Sequence, residues 1–204
     1  DIIFSSDVLY SKEIVLEKEI NLSIPRKTLS WEMYGLNQQN FLGNIYLSGI
    51  DNKFLKKKIG KNKFSLSRIT NSPLIYQNYI FLSDDKGTIF NINQNGKINW
   101  KRNVYKNIYK KIYKNLTFAI YKNNIYVADN IGFIYAFVLD TGKLVWIKNH
   151  GVPLKSKIKI FDNMIFLTNQ DNRILSFNTK DGSIIWDVRS ISSFIKSQNL
   201  LSLA

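Results

Sequence analysis

One stretch of the chain decides the fold: IYVADNIGFIYAFVLDTGKLVW, residues 125–146. It contains an apolar strand, a polar turn that ends in Gly132, a second apolar strand, and a turn at Gly142 followed four residues later by Trp146. Glycine tolerates the positive backbone φ of tight turns, and Asp-Thr-Gly ahead of a further strand is a hairpin signal. The stretch therefore predicts three consecutive antiparallel strands joined by short turns.

The same pattern occurs at residues 79–100 and 165–186, where Gly87 and Asn172 hold the position of Gly132. The tryptophans recur after 46 and then 40 residues. Units of four short strands, each about 40 to 45 residues long, are typical of β-propeller blades. We predict an all-β chain, a β-propeller of four-stranded antiparallel blades, with each repeated tryptophan buried against the adjacent sheet. The predicted blade-docking residues are Gly96, Gly142, Gly182, Trp100, Trp146 and Trp186.

The flanks of the repeats suggest how the chain is divided. Residues 1–29 form a leader, and residues 30–204 form about three to four blades of a ring of about seven or eight. Residues 51–60 resemble the end of a degenerate preceding blade, with Phe54 and Leu55 where a tryptophan would stand. Residues 198–203 repeat the pattern of residues 162–167, so we expect the chain to stop inside the next blade.

Residues 136–146 and 176–186 resemble the tryptophan-docking repeat of PQQ-like, or quinoprotein-type, propellers, which runs roughly Ala-x-Asp/Asn-x-x-Thr-Gly-x-x-x-Trp. Residues 30–35 (SWEMYG) also resemble the segment before the first blade of such proteins. Two departures stand out: Val138 replaces the usual Asp or Asn, and the copy that ends at Trp100 is one residue shorter. The resemblance covers roughly residues 30–204.

The resemblance implies two very different functions. One is a non-catalytic scaffold for protein–protein interaction, as in outer-membrane protein assembly, with a barrel-assembly component as partner. Such a scaffold would be periplasmic and peripheral to the outer membrane, attached only through a partner or a lipid anchor not visible in this sequence. The other is a quinoprotein (PQQ-dependent) dehydrogenase whose cofactor ligands lie outside this chain. A third interpretation is a propeller that binds an unknown partner in another compartment, because fold does not fix function.

The acidic residues favour the non-catalytic function. The chain has no cysteine, which excludes disulfides and thiolate sites, whereas the resemblance implies a vicinal disulfide over the quinone of the dehydrogenases. Aspartates in turns bond to their own backbone, which leaves few carboxylates for a calcium site. The single histidine, His150, has no second histidine or cysteine for a metal cluster. We therefore expect no catalytic, cofactor-binding or metal residues, no cofactor and no enzymatic activity. The turn aspartates are Asp84, Asp85, Asp129, Asp140, Asp171 and Asp181.

The charge balance allows two interpretations. Lys and Arg number 29 against 15 Asp and Glu, which gives a formal net charge of +14. Nucleic acid is the obvious partner for such a chain, but no nucleic-acid motif is present. A coding bias toward Lys, Asn and Ile explains the same excess, and we expect no nucleic-acid partner.

Residues 104–116 form the most unusual segment, which accounts for the longer spacing between Trp100 and Trp146. Its apolar positions follow helical spacing, although its tyrosines and isoleucines also suit a strand. The segment packs on its own propeller or it contacts a partner, with lysines at 53–63 adding basic charge. The candidate partner-contact residues are Tyr105, Tyr109, Tyr113, Lys106, Lys110 and Lys111.

Overall fold

The computed structural model describes residues 21–47, 49, 55–61, 72–189 and 203. These residues form three antiparallel sheets that follow one another along the chain. Among them, no helix has the length and apolar character needed to cross a membrane. The predicted all-β architecture of four-stranded antiparallel blades is confirmed.

Each sheet is a blade whose strands are paired in chain order, so the first strand lies at one edge and the last strand at the other. Blade 1 has one additional short strand, β1, at the edge formed by β2. Blade 1 comprises β1 (Ser30–Trp31), β2 (Leu74–Tyr76), β3 (Tyr79–Ser83), β4 (Ile89–Asn93) and β5 (Ile98–Arg102). Blade 2 comprises β6 (Leu116–Tyr121), β7 (Asn124–Asp129), β8 (Phe133–Val138) and β9 (Leu144–Asn149). Blade 3 comprises β10 (Lys159–Phe161), β11 (Met164–Thr168), β12 (Arg173–Asn178) and β13 (Ile184–Arg189).

The turns between the middle strands have the backbone that the sequence predicts. The φ angles are +77° at Gly87, +112° at Gly132 and +59° at Asn172. In each blade the pairing of the last two strands shifts beside the repeated tryptophan, for example between Ala136 and Phe137 opposite Trp146. The three repeats therefore share the same turns and the same shift in strand pairing beside the tryptophan.

The core lies between the blades, because each sheet buries one face against the next. Phe81 and Ile89 of blade 1 pack with Ile125 and Phe137 of blade 2. The other face of blade 2 packs against blade 3 in a second cluster that contains Tyr126 and Ile165. Alternating side chains of β7 thus enter both clusters, as the period of two in a strand requires.

Residues 30–40 cross the first strands of all three blades, which the sequence did not predict. Ser30–Trp31 pairs with β2, and the Glu32 carbonyl accepts a hydrogen bond of 2.7 Å from the Ile120 amide of β6. Met33 is buried in the cluster between blades 2 and 3. The ammonium of Lys159, which lies on β10, donates to the Tyr34 and Asn37 carbonyls and to Asn40 Oδ1 at 2.6–2.7 Å. We call residues 30–40 the strap.

The predicted division of the flanks stays a prediction, although some of the flanking residues are described. Arg26 makes a parallel bridge to Ile45, so part of the predicted leader contacts the chain beyond residue 30. Leu55 lies against Gly96, which is where a docking residue of a preceding blade would lie. No strand is formed over residues 55–61. Residues 1–20, Lys53, Phe54, Lys63 and the repeat at 198–202 lie outside the described residues.

Candidate partner-binding site

The repeated tryptophans of blades 1 and 2 join each blade to the next. Trp100 is 6% exposed, and its indole Nε1 donates a hydrogen bond of 2.9 Å to the Leu139 carbonyl of blade 2. Trp146 is 9% exposed and donates in the same way to the Thr179 carbonyl of blade 3, also at 2.9 Å. In both cases the acceptor lies three residues before the turn glycine of the next blade.

The turn glycines leave room for these rings. A Cβ built on Gly142 would lie 2.6 Å from the Trp100 ring, and one on Gly182 would lie 2.6 Å from the Trp146 ring. Both glycines also have positive φ, at +63° and +69°. A side chain at either position would therefore meet both backbone strain and a steric clash.

Trp186 differs from the other two tryptophans, and the expectation that it is buried is not met. It is 37% exposed, and no described sheet follows β13. Its ring forms a tilted pair with Phe166 of its own blade at 5.9 Å between ring centres. Among the predicted docking residues, Trp186 thus has no blade in the described structure to dock against.

Tyr105 is a packed residue, which corrects its place among the candidate partner contacts. Its ring lies edge-on to Phe133 and Tyr135, and its hydroxyl donates to Asp129 Oδ2 at 2.5 Å. Burial, followed by the charge and hydrogen bonds of its neighbours, raises the pKa of the Tyr105 hydroxyl. The sequence could not show this, because Tyr105 lies in the connection after β5 and Asp129 lies at the end of β7, 24 residues further along the chain.

Asp129 is buried at the end of β7, where its Oδ1 accepts the amides of Ile131, Gly132 and Phe133 at 2.8 Å each. Burial raises the pKa of this carboxyl, and the hydrogen bonds from Tyr105 and the backbone oppose that shift. Its role in closing a turn is the one that the sequence predicted for the repeat aspartates.

The connection between blades 1 and 2 is neither the helix nor the strand that the sequence allowed. A single 3₁₀ turn covers Asn107–Tyr109, and Ile108 is 78% exposed. Tyr109 is half-buried and packs edge-on against Phe133 at 5.3 Å between ring centres. Tyr113 is half-buried as well, and its carbonyl accepts a bond from Asn130 Nδ2. The predicted contact lysines, Lys106, Lys110 and Lys111, are exposed.

A groove of about 830 Å³ lies between this connection and β9 of blade 2. We call it the interblade groove and define it by Arg102, Lys106, Tyr109, Phe133, Lys143 and Leu144. Its lining includes three basic residues on β5, the connection and the β8–β9 turn, but no acidic residue. Of the predicted contacts, the structure therefore brings Lys106 and Tyr109 together, with Tyr105 beneath them. Arg102, Phe133, Lys143 and Leu144 were missed, because the sequence does not show that the connection folds against blade 2.

The described residues do not form the calcium site of a quinone cofactor. No three His, Asp or Glu side chains lie close enough together in this part of the chain to hold a metal ion. Carboxylates that could serve as ligands accept turn amides instead, as Asp84 does from Lys86 and Thr88, and Asp181 from Ser183. Calcium needs several converging oxygen ligands, and these side chains do not converge.

A comparison with known families finds a match over blades 2 and 3. Residues 114–200 match the PQQ_2 family, described as outer membrane protein assembly factor BamB. The match covers less than half of the chain. No curated protein sequence matches this chain significantly.

Solved structures show the same fold at low identity. Quinohemoprotein alcohol dehydrogenase from Comamonas testosteroni has a TM-score of 0.59 and 17% identity, over 80% of this chain and 27% of that one. A europium-containing methanol dehydrogenase has a TM-score of 0.57 and 14% identity, over 78% of this chain and 31% of that one. BamB from Moraxella catarrhalis has a TM-score of 0.49 and 17% identity, over 59% of this chain and 37% of that one. This chain thus spans between 27% and 37% of these proteins. The likeness to the two dehydrogenases concerns the fold alone.

Successive four-stranded sheets, each packed face to face on the next and bridged by a tryptophan, define the chain as β-propeller blades. Blades 2 and 3 are similar to PQQ-like β-propeller repeats, since residues 114–200 match the PQQ_2 family.

Proposed function

We propose that this chain is part of a non-catalytic propeller scaffold that binds proteins in outer-membrane protein assembly. The observation that supports this role most directly is the match of residues 114–200 to the family described as BamB. The chemistry of the blades agrees with it, because the tryptophans and turn aspartates join strands and blades. The periplasmic face of the outer membrane is the location that fits this function.

Co-elution with the outer-membrane assembly complex of the source organism tests this proposal. The purified chain is mixed with the detergent-solubilised complex and separated by size. We expect the chain to elute with the complex. The first surface variant to be compared with the unmodified chain is Ile108→Asp, a change on the exposed connection between blades 1 and 2. Separate elution of the chain and the complex would contradict the proposed role.

A quinoprotein dehydrogenase is the competing function, and an absorption spectrum distinguishes the two. The purified chain is incubated with pyrroloquinoline quinone and calcium, then desalted. We expect no retained quinone absorbance, because the described carboxylates do not form a ligand set. Stoichiometric quinone and calcium after desalting would replace the scaffold with the dehydrogenase.

A further inference from the structure

We propose that the interblade groove binds an extended acidic segment of a partner protein, laid along the outer edge of β9. The inference rests on the proposed scaffold function and specifies the place and chemistry of one contact. Three observations carry it: the free edge of β9, the apolar floor of the groove, and its uncompensated positive charge.

The outer edge of β9 can accept another strand. β9 is the last strand of its sheet, and no described strand pairs with its outer edge. An exposed edge presents backbone N–H and C=O groups that can pair with an extended peptide. Its six residues span about 20 Å, which sets the length of the bound segment at about five or six residues.

The floor of the groove provides anchoring contacts for alternate side chains of such a segment. Leu144 and Ile147 are 42% and 37% exposed on β9. Across from them, Tyr109 stands edge-on to Phe133, which Tyr105 holds from below. Aromatic rings fixed by packing lose little conformational entropy on binding, which is why they are common at the centres of interfaces.

The basic groups of the groove have no acidic partner among the described residues. The Arg102 guanidinium donates to the carbonyls of Gly142, Thr141 and Lys101, so its charge is not neutralised by a carboxylate. Lys106 and Lys143 are exposed and make no ion pair with a described carboxylate. Positive charge without compensation favours an acidic segment and disfavours a basic one.

Nucleic acid could also use basic and aromatic groups, but the geometry favours a peptide. Nucleic-acid binding would need exposed ring faces on which bases can stack. Here Tyr105 and Phe133 are engaged with each other and Tyr109 is half-buried, while the groove runs beside an aliphatic strand edge. An oligonucleotide therefore serves as one arm of the test.

The test uses a capped six-residue peptide that alternates Glu with Ile and carries a fluorophore. Its binding to the whole chain is measured by fluorescence anisotropy. A peptide with Lys in place of Glu and an oligothymidine are measured in parallel. We expect the acidic peptide to bind and the other two to bind at least about tenfold more weakly. Equal binding of the lysine peptide, or of the oligonucleotide, would overturn the proposal.

Matched charge reversals locate the site. Lys106→Glu with Lys143→Glu should weaken binding of the acidic peptide at least about tenfold. The control is Lys97→Glu with Lys180→Glu, because Lys97 occupies in blade 1 the turn position of Lys143 and the net charge changes equally. We expect the control to bind within about twofold of the unmodified chain. Equal losses in the two double variants would show that only net charge matters, and the groove would be excluded.

Tyr109→Ala tests the floor independently of charge, with an expected loss of about fivefold or more in peptide affinity. Circular dichroism of each variant verifies that the blades remain folded. Failure of the proposed groove can be distinguished from failure of the proposed scaffold function. Capture of the assembly complex by the Lys106→Glu/Lys143→Glu variant at full strength would overturn the groove and leave the scaffold intact. Peptide binding without capture of the complex would contradict the scaffold and leave the groove intact.

Discussion

At the scale of single residues, one side chain in each repeat contacts both its own turn and the connection that precedes its blade. Asp84, Asp129 and Asn169 each lie three residues before the turn position, and each Oδ1 accepts amides from its own turn. Their second polar atoms face the connection: Asp84 Oδ2 accepts the Lys61 amide, Asp129 Oδ2 accepts the Tyr105 hydroxyl, and Asn169 Nδ2 lies 3.3 Å from His150 Nε2. Since Asn169 performs the same task without a charge, the shape of the side chain matters more than its ionisation.

Asp129→Asn should therefore preserve the fold and change how stability depends on pH. Burial raises the pKa of Asp129 in the folded chain above its unfolded value. The folded protein then holds a proton more tightly than the unfolded one, so stability falls as pH rises from about 4 through the folded pKa. The asparagine variant lacks this loss, and its stability relative to the unmodified chain should increase over that range. Urea unfolding at a series of pH values measures the difference, and a decrease over the same range would contradict the reasoning.

At the scale of elements, each docked tryptophan packs on the turn of the next blade. Only part of this contact could be predicted from the sequence. The recurring glycines and tryptophans predicted the blades, the hairpins and the turn positions with positive φ, because spacing along the chain encodes local turns. The acceptor carbonyls of Leu139 and Thr179 have no side-chain signature, so the cross-blade bonds appear only in the structure. The same holds for Tyr105, whose burial depends on Asp129 and Tyr135 from the next blade.

Replacing Trp100 or Trp186 with phenylalanine separates the cross-blade bond from simple packing. Trp100→Phe removes the indole donor, so the buried Leu139 carbonyl retains the longer hydrogen bond of 3.3 Å from Asn91 Nδ2, and the change should cost about 1–3 kcal/mol. Trp186→Phe is the control within the same chain, because this ring is 37% exposed and makes no cross-blade bond to the described residues, and it should cost less than about 1 kcal/mol. Denaturant unfolding gives both free energies. Equal losses in the free energy of unfolding would show that the indole hydrogen bond contributes little to the contact between the blades.

At the scale of the whole molecule, the strap ties together sheets that otherwise contact only their neighbours along the chain. It pairs with β2, meets β6 through Glu32 and Met33, and is held on β10 by Lys159. Burial lowers the pKa of the Lys159 ammonium, and the three oxygens that accept its hydrogen bonds are two backbone carbonyls and an amide oxygen. This arrangement could not be predicted from the sequence, since a lysine at the start of a strand is usually solvated. Contacts of such long separation in the chain depend on the assembled blades.

Lys159→Met should release the strap while the blades persist. The substitution keeps the apolar stem but removes the donor to the Tyr34 and Asn37 carbonyls and to Asn40 Oδ1, at a cost of about 1–3 kcal/mol. The Ile120 amide, which donates to Glu32 in the strap, should then exchange with solvent faster, whereas amides of β8 should keep their protection. Lys122→Met is the control, because Lys122 is exposed, donates to Asn163 Oδ1 across the blade surface and lies over the Tyr121 ring, away from the strap. Hydrogen exchange followed by mass spectrometry or NMR measures both the Ile120 amide and the amides of β8. Unchanged exchange at Ile120 in the Lys159 variant would show that pairing of the strap with the strands, rather than the ammonium, holds the three blades together.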